Sequence, residues 1–459
     1  MEQTENSSVE KETKKGILCA IHPQGGEEEC LIGLRELERL LDTAGGETVA
    51  ILTQLRDAPD SKTVFGSGKV RELSELCTNL EADMVIFDCE LSPSQIKSLE
   101  DAISRDVQVI DRSMLILDIF AAHARTAEGR LQVELAQLKY TAPRLVGHGK
   151  ELSRLGGAAK NTGIGSRGPG ETKLEIDKRR MKEKIASLES QLDVVAKNRR
   201  TMRTKRERSG VVQCGIVGYT NAGKSTLLHA LTGAGILAED KLFATLDTTT
   251  RQYTLPGGGE ILLTDTVGFI RNLPHHLIKA FRSTLEEATY ADILMIVIDA
   301  SDPEFAAQTE VTTNLLTELG AGEKPILYVF NKCDAGFPSE SLGEVRRLTA
   351  GERRDTVFIS AKTGAGLTSL AEKLEEMIDT LRGKRHLLLF IPPEKGAVTS
   401  VIYQLGDDVE VSYVPDGILV TVTADDVLYG KMREYIVTKE EYDSHMPTDP
   451  DADDGTEAN

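Results

Sequence analysis

The sequence predicts an α/β protein in which a doubly wound parallel sheet lies between two smaller domains. Three observations support this prediction. Apolar β-rich runs alternate with helical stretches over most of the chain. One run, at 214–218, leads directly into a glycine-rich loop and then a helix. A long helix with apolar residues at 3/4 spacing separates this unit from the amino-terminal part.

The elements follow in order along the chain. Between 16 and 113 the runs ILCAI, TVAILTQL, MVIFDC and VQVID alternate with helices predicted at 29–41 and 70–80, as in a small parallel α/β domain. Residues 115–145 are predicted to be helical. From 211 the strands CGIVG, ILLTDT, DILMIVIDA, KPILYVFNK and TVFISA follow the doubly wound pattern. The runs HLLLFIPP, VEVSYV and ILVTVTA, with a helix at 395–405, predict a small α+β domain.

These patterns predict six segments along the chain. They are a disordered tail at 1–15, an α/β domain at 16–145, a glycine-rich loop with a basic helical hairpin at 146–209, the doubly wound domain at 210–383, an α+β domain at 384–440, and an acidic disordered tail at 441–459.

The amino-acid composition is that of a folded protein without membrane-spanning segments. The 459 residues are 40% hydrophobic and 28% charged, which is ordinary for a folded protein and excludes wholesale disorder. We find no apolar run near the roughly 18 residues of a membrane span and no signal core, so we expect a cytoplasmic protein, with peripheral membrane association as an alternative. Six scattered cysteines without a CxxC pair disfavour a disulfide framework and a zinc site. We expect a monomer.

The charge distribution is uneven. The net charge is −19, yet residues 139–208 carry 19 basic and 8 acidic side chains, and the rest of the chain carries 35 and 65. Within 174–208, Leu174, Met181, Ile185, Leu188, Leu192 and Val195 form the seam of an antiparallel hairpin or a coiled coil. Its end, KNRRTMRTKRER, has seven basic residues in twelve, so we expect it to lie against solvent or nucleic acid phosphates rather than a core.

The loop after the first strand of the central domain fits GxxxxGK[ST], the phosphate-binding P-loop. Its glycines let backbone N–H groups surround phosphates, Lys224 neutralises their oxygens, and Ser225 can ligate Mg²⁺. The predicted phosphate-binding residues are Gly218, Tyr219, Thr220, Asn221, Ala222, Gly223, Lys224 and Ser225.

Two further motifs decide which base is bound. Asn331, Lys332, Cys333 and Asp334 follow the strand ILYVF, and the Asp334 carboxylate can accept from both guanine N–H groups, which adenine does not offer. Ser360, Ala361 and Lys362 close the next strand and supply a backbone N–H to the guanine carbonyl. The sequence therefore predicts GTP and GDP as ligands.

The segment DTVG, made of Asp265, Thr266, Val267 and Gly268, completes the site. Asp265 is expected to hold Mg²⁺ through water, and the Gly268 N–H to face the γ-phosphate. A second Mg²⁺ ligand comes from the preceding switch, either Thr245 or Thr249, and we favour Thr245 in the run Phe243, Ala244, Thr245, Leu246, Asp247. Lys224, Thr245 and Gly268 are the predicted catalytic residues.

Phe269 follows Gly268 where Ras-type proteins have a water-orienting glutamine. Because phenylalanine has no hydrogen-bonding group, we expect slow hydrolysis until a rearranged switch, a partner or a cation supplies one. Asn221 lies where related GTPases help to bind K⁺, so K⁺ is a candidate second cofactor. Alternatively, Asn221 bonds its own loop.

With these motifs, the chain resembles the HflX family of ribosome-associated GTPases, within the Obg and HflX group. The matching blocks are FGSGKV, DCELSPSQ, IDRSMLILDIFAAHA, LQVELAQLKY, RGPGETKLE, FATLD and DTVGFIRNLPHHLIKAFRSTLEE, spread over 65–382. The resemblance implies a P-loop GTPase domain that binds the 50S subunit and the 70S ribosome, and that splits or rescues ribosomes under stress. It also implies that the loop and hairpin reach the 23S rRNA, with Arg167, Arg199, Arg200 and Arg203 as candidate contacts.

Three alternatives remain open at this point. A ribosome-assembly GTPase would bind the same subunit without splitting ribosomes. A GTP-dependent RNA-modifying enzyme lacks a visible cysteine or metal cluster. An RNA-remodelling ATPase in the first domain has only GSGK at 66–69, which is not a P-loop.

Overall fold

The computed structural model describes residues 13–103, 106–145, 173–207, 211–233, 242–243, 248–272, 274, 277, 288–336, 343 and 355–445. The chain divides into two compact units. The first comprises Met1–Gln252 with Leu262–Ala365, and the second comprises Tyr253–Ile261 with Gly366–Asn459.

The amino-terminal part of the first unit is a parallel four-stranded sheet in the order β2-β1-β3-β4. All four residues of strand β3 are buried, as expected for a strand in a sheet that helices cover on both faces. The elements are β1 (Lys14–His22), α1 (Glu27–Thr43), β2 (Gly46–Leu55), α2 (Ser67–Leu80), β3 (Met84–Phe87), α3 (Pro93–Ala102), β4 (Gln108–Asp111) and α4 (Arg112–His123).

The prediction that residues 115–145 are helical agrees with the structure apart from a break at 124–126, because the stretch holds two helices and a short 3₁₀ turn. After α4 comes α5 (Ala127–Thr141). Ala124 is extended, and the Thr126 side chain accepts from the Gly129 N–H, which starts a new helix. The break lies in the polar stretch HARTAEGR, at 123–130, between two apolar segments.

Helix α5 packs against the long helix that follows it, whereas the sequence prediction placed the hairpin within 146–209. Helix α6 (Lys173–Glu207) lies against α5, and Met181 and Leu188 of its apolar seam are buried. Arg199 near the end of α6 pairs with Glu128 at the start of α5 (2.7 Å), and Lys139 at the end of α5 pairs with Glu189 (2.7 Å). The two helices therefore run antiparallel.

A second sheet has six strands in the order β10-β9-β8-β5-β7-β6. Neighbours from β10 to β5 are parallel, which confirms the predicted doubly wound fold. The elements are β5 (Val212–Gly218), α7 (Lys224–Thr232), β6 (Thr249–Thr254), β7 (Glu260–Asp265), β8 (Ile293–Asp299), α8 (Phe305–Glu318), β9 (Ile326–Asn331), β10 (Asp355–Phe358) and α9 (Leu367–Leu381).

The carboxy-terminal part is an antiparallel sheet in the order β11-β13-β12 with short helices, as predicted for an α+β domain. Its predicted helix begins at Val398 rather than 395, because Pro393–Lys395 form a 3₁₀ turn. The last two helices were not predicted. The elements are β11 (Arg385–Ile391), α10 (Val398–Leu405), β12 (Asp407–Val414), β13 (Gly417–Ala424), α11 (Asp426–Met432) and α12 (Lys439–Ser444).

In the first unit, one apolar core joins the amino-terminal sheet to the six-stranded sheet. It contains Leu37 and Phe120 from the former, and Tyr219, Phe243 and Phe269 from the latter. The two sheets are thus packed as one body beside the P-loop.

Candidate functional site

The loop from β5 to α7 has a backbone that favours glycine at two points. The φ angles are +146° at Gly218 and +91° at Gly223, and Asn221 is also left-handed at +60°. A Cβ at Gly223 would lie 2.3 Å from Asn331 Nδ2, so only glycine fits there. The loop opens onto the amino end of α7, where backbone N–H groups and the helix dipole favour an anion.

Asn331, at the end of β9, ties two predicted binding loops together. Its Nδ2 donates to the Ala222 carbonyl (2.9 Å), and its Oδ1 accepts from the Ala361 N–H (2.9 Å). The Cys333 N–H donates to the Ile359 carbonyl at 3.1 Å. The P-loop and both base-binding motifs therefore meet at one edge of the sheet, the carboxyl edge where doubly wound folds bind ligands.

The side chains of the two base-binding motifs differ in exposure. Asn331 and Ser360 are buried, whereas Asp334 and Lys362 are exposed. Asp334 lies in a one-turn 3₁₀ helix, Cys333–Ala335. An exposed carboxylate on a short turn beside the P-loop is suited to accept hydrogen bonds from a base.

The phosphate side of the site brings together Lys224, Ser225 and Asp265. The Ser225 hydroxyl donates to Asp265 Oδ2 (2.6 Å), and Lys224 Nζ donates to the Tyr219 carbonyl (2.8 Å). Burial lowers the pKa of Lys224 to about 8, and the Asp265 carboxylate opposes this shift. Thr266 and Val267 are buried, and the Thr266 hydroxyl bonds the Ile216 carbonyl of β5 (2.8 Å).

Gly268 lies against the P-loop. A Cβ at Gly268 would come within 2.9 Å of Lys224 Nζ and of Thr220 Cα. The Thr220 N–H donates to the Phe269 carbonyl (2.8 Å), and the Phe269 N–H donates to the Gly218 carbonyl (3.1 Å). The segment after Asp265 is therefore bonded directly to the P-loop.

Phe269 has a side chain that is 1% exposed, within the apolar core. In this position it can neither approach a phosphate nor bond a water molecule. The geometry agrees with the sequence prediction that the chain lacks a water-orienting side chain at this position.

Sequence reasoning missed the contacts that join the P-loop to the amino-terminal sheet. The Tyr219 hydroxyl donates to Glu36 of α1 and accepts from the Arg271 N–H (2.8 Å). Glu36 also pairs with the buried Arg112 at 2.5 Å, and Arg271 pairs with Glu304 at 2.6 Å. Burial and then the Glu36 carboxylate raise the pKa of Tyr219. A tyrosine within a P-loop is visible in the sequence, but its partner lies 183 residues away.

The switch segment is only partly described. The described residues do not include four of the predicted switch residues, Ala244, Thr245, Leu246 and Asp247. They do not include Arg167 either. Phe243 is buried with φ +56°, and its ring packs edge-on against Phe120 with centroids 4.7 Å apart.

Three of the four candidate RNA-binding residues lie on α6, and only Arg167 lies outside the described residues. Arg199 is half-buried and paired with Glu128, whereas the side chains of Arg200 and Arg203 are not described. The described basic residues Lys178, Arg180 and Lys182 on α6 are exposed.

The oxygen donors at Ser225 and Asp265 fit Mg²⁺, which prefers oxygen ligands and binds through one or two protein groups together with phosphates and water. No group of three or more His, Cys, Asp or Glu side chains that could hold a metal is found within the described ranges.

Comparison with known proteins identifies the family. Residues 32–121, 123–206 and 213–332 match the models "GTP-binding GTPase N-terminal", "GTP-binding GTPase Middle Region" and "50S ribosome-binding GTPase". The GTPase HflX of Lacrimispora saccharolytica is 46% identical over 426 residues, which cover 92% of this chain and 97% of that protein. The chain belongs to the HflX family of GTPases. This confirms the resemblance, the α/β fold with a P-loop GTPase domain, and the prediction that the enzyme is a GTPase.

Other HflX relatives are similar over most of their length. The GTPase HflX of Escherichia coli K12 is 43% identical over 374 residues, 81% of this chain and 84% of that protein. Among solved structures, a GTP-binding protein of Sulfolobus solfataricus in complex with GDP is 27% identical, covering 80% of this chain and all of that one. Its TM-score of 0.41 is too low for that likeness to support a conclusion about this HflX chain. Within the described part of the chain, no helix is both long and apolar enough to span a bilayer.

Proposed function

We propose that this HflX GTPase binds the 50S subunit and the 70S ribosome in its GTP-bound form, and that it splits or rescues stalled ribosomes under stress. One observation carries the proposal. Tyr219 of the P-loop bonds both Arg271, beyond the DTVG segment, and Glu36 of the amino-terminal domain. A rearrangement around the γ-phosphate would therefore reach the domain that carries the basic hairpin. The match of 213–332 to a 50S ribosome-binding GTPase supports the same partner.

In the proposed site, the Asp334 carboxylate accepts hydrogen bonds from guanine, and the backbone of 218–225 surrounds the phosphates. Lys224 exchanges its bond to the Tyr219 carbonyl for phosphate oxygens, which favour its ammonium form and so raise its pKa. The Gly268 N–H and the switch around Thr245 face the γ-phosphate. The proposed contacts to GTP are completed by the backbone of 243–247 and by a second group of residues, Ser360, Ala361 and Lys362.

Ser225 and Thr245 would hold Mg²⁺ directly, and Asp265 through water. When bound, the ion offsets charge that develops on the β- and γ-phosphate oxygens. Asn221, left-handed within the P-loop, is the proposed residue for a K⁺ ion.

Hydrolysis is proposed to be slow without the ribosome. Phe269 is buried and bonded to the P-loop through its backbone, so the chain must acquire a water-orienting group from a rearranged switch, K⁺ or the ribosome. We therefore expect the ribosome to stimulate GTP hydrolysis, and the protein to leave the ribosome after GTP is hydrolysed.

The proposed contact with 23S rRNA uses the basic side of α6 and the loop that contains Arg167. Arg200→Ala with Arg203→Ala leaves the Arg199–Glu128 pair intact, which makes it a cleaner test than removing Arg199. We expect these two changes to weaken 50S binding and to lower its salt slope by about 2. Lys431→Ala with Lys439→Ala removes two exposed charges elsewhere and should leave the slope unchanged.

The deciding experiment measures GTP turnover with and without 50S subunits and 70S ribosomes, in K⁺ and in Na⁺, while light scattering follows the 70S particle. Stimulation with falling scatter supports splitting. Stimulation without splitting favours the alternative, a large-subunit assembly GTPase. No stimulation by either particle would refute the ribosomal partner.

We also propose a cytoplasmic, monomeric protein with the domain boundaries given above. No described feature supports the alternative of peripheral membrane association.

A further inference from the structure

Thr220 of the P-loop has a buried hydroxyl that makes no hydrogen bond. The residue is 6% exposed, and within the described part of the chain its Oγ1 has no partner. The other side-chain hydroxyls of 218–225 and 265–268 do have partners, which are Glu36 for Tyr219, Asp265 for Ser225 and the Ile216 carbonyl for Thr266. A buried hydroxyl without a partner destabilises the native state, and such groups are rare outside sites of strain, of catalysis or of bound water and ions.

Thr220 lies where the P-loop meets the DTVG segment. Its N–H donates to the Phe269 carbonyl (2.8 Å), which fixes its backbone. A Cβ at Gly268 would lie 2.8 Å from Thr220 Cγ2 and 2.9 Å from Lys224 Nζ. The hydroxyl of Thr220 shares its Cβ with that methyl group, so it lies in the same small space. Since Lys224 and Gly268 are the residues proposed to face the γ-phosphate, this hydroxyl lies beside the place where GTP is cleaved.

We propose that Thr220 is a catalytic residue of GTP hydrolysis: its hydroxyl accepts a hydrogen bond from the water molecule that attacks the γ-phosphate. A hydroxyl can accept and donate at once, so the same group donates to a γ-phosphate oxygen and holds the water against it. Phe269 offers no such group, and the P-loop supplies it instead. This role of Thr220 rests on the phosphate site proposed above. It accounts for the slow hydrolysis by the free protein, to which a rearranged switch, K⁺ or the ribosome adds.

The hydroxyl orients the water and is not a base. In the hydrolysis step the water oxygen forms a bond to the γ-phosphorus, and the bond from that phosphorus to the β–γ bridging oxygen breaks, with its electron pair passing to GDP. One water proton stays on the attacking oxygen and the other passes to a γ-phosphate oxygen. GTP and water thus become GDP and dihydrogen phosphate, and Thr220 keeps its own proton throughout.

Thr220→Val replaces the hydroxyl with a methyl group of similar shape. We expect single-turnover hydrolysis at saturating GTP, in K⁺ and without ribosomes, to fall at least about tenfold. Fluorescent GDP should bind within about twofold of its usual affinity, because GDP has no γ-phosphate and does not need the attacking water. The nucleotide-free variant should melt at a higher temperature than the unaltered chain, because a buried unpaired polar group has been removed. Thr220→Ser keeps the hydroxyl and should hydrolyse GTP within about threefold of the unaltered rate.

Thr48→Val is the matched control. Thr48 lies on β2, outside the phosphate site, and its buried Oγ1 likewise has no partner among the described residues. We expect this variant also to melt at a higher temperature, but to hydrolyse GTP at the unaltered rate. The two valine variants therefore separate the removal of a buried unpaired hydroxyl from the loss of a catalytic one.

Unchanged hydrolysis in Thr220→Val, or an equal loss in Thr220→Ser, would overturn the catalytic role of the hydroxyl. A loss of GDP affinity without a loss of rate would overturn it as well, because the hydroxyl would then bind the nucleotide and not the attacking water. Lys224→Ala tests the phosphate site itself. If it binds GDP normally, that site is misassigned, which is a different failure from a normal rate in Thr220→Val. The thermal melts show that each variant is folded.

Discussion

The hydroxyl of Tyr219 in the P-loop donates a hydrogen bond to the carboxylate of Glu36 in the first helix. Glu36 is held from its other oxygen by Arg112, which also pairs with Asp88 at 2.9 Å. Burial raises the pKa of Asp88, and Arg112 opposes this shift. The phosphate-binding loop is thus one end of a buried polar chain that continues into the amino-terminal domain.

Tyr219→Phe should destabilise the nucleotide-free protein by about 1–3 kcal/mol, because Glu36 loses a donor and the Arg271 N–H loses an acceptor in a buried region. Urea unfolding measures the loss. Tyr403→Phe is the matched control, since Tyr403 is 61% exposed and its hydroxyl is accessible to water. Equal stability of the two variants would contradict the structural importance of the Tyr219 bonds.

Nucleotide binding should take up protons in mildly alkaline solution. The pKa of Lys224 is about 8 in the nucleotide-free protein, because burial disfavours its charge, and phosphates favour the ammonium form. Above pH 8 the free protein must therefore gain a proton at Lys224 when GDP binds, and the affinity should fall by up to about tenfold per pH unit.

Calorimetry of GDP binding at pH 8.5 in two buffers of different ionisation enthalpy measures this uptake. At pH 7 Lys224 is charged in both states and contributes no uptake. For folding, the stability changes with pH in the same direction as for a carboxylate whose pKa is lowered in the native state. The unfolded chain keeps the Lys224 proton up to a pKa of about 10.4, so Lys224 destabilises the native state less as the pH rises from 8 towards 10. A binding enthalpy that is the same in both buffers at pH 8.5 would refute the prediction.

The sequence was most informative where chemistry and local structure coincide. Gly223, Lys224 and Ser225 follow a strand and open a helix, and Asn331 ends a strand, so their shared sheet edge follows from topology rules alone. The structure adds that Asn331 bonds the P-loop carbonyl itself. Local signals sufficed because each of these residues belongs to a short motif with a fixed place on a strand or helix.

Contacts between distant segments were not predictable. Glu36 and Arg112 look like ordinary helix residues in the sequence, and only the packing of the two sheets places Glu36 beside Tyr219. The break between α4 and α5 was missed because apolar residues continue on both sides, although Thr126 is a good N-cap. Lys332 and Asp299 are 33 positions apart, and they meet because Asp299, at the end of β8, pairs in register with Asn331, which precedes Lys332.

Gly268→Ala should abolish GTP hydrolysis and destabilise the nucleotide-free protein by about 1–3 kcal/mol. The added methyl would lie within 2.9 Å of Thr220 Cα and of Lys224 Nζ, and the Thr220 backbone is held by its bond to Phe269. Gly259→Ala is the control, because its nearest neighbour would be 3.6 Å away, at Leu255. Multiple-turnover GTP hydrolysis and urea unfolding are measured for both. Normal turnover in Gly268→Ala would mean that this close approach is not needed for catalysis.

The ring contact between Phe120 and Phe243 should be measurable as a coupling energy. Phe120 belongs to helix α4, and Phe243 immediately precedes the predicted switch residues. The rings meet edge-on at 4.7 Å and an interplanar angle of 86°, a geometry that stabilises by about 0.5–1.5 kcal/mol beyond area burial. In a double-mutant cycle of Phe120→Leu and Phe243→Leu, urea unfolding should give a coupling energy in this range. Phe65 lies in a separate core cluster, so Phe120→Leu and Phe65→Leu should be additive. Additivity of Phe120 with Phe243 as well would show that the residue before the switch is not held by the amino-terminal domain.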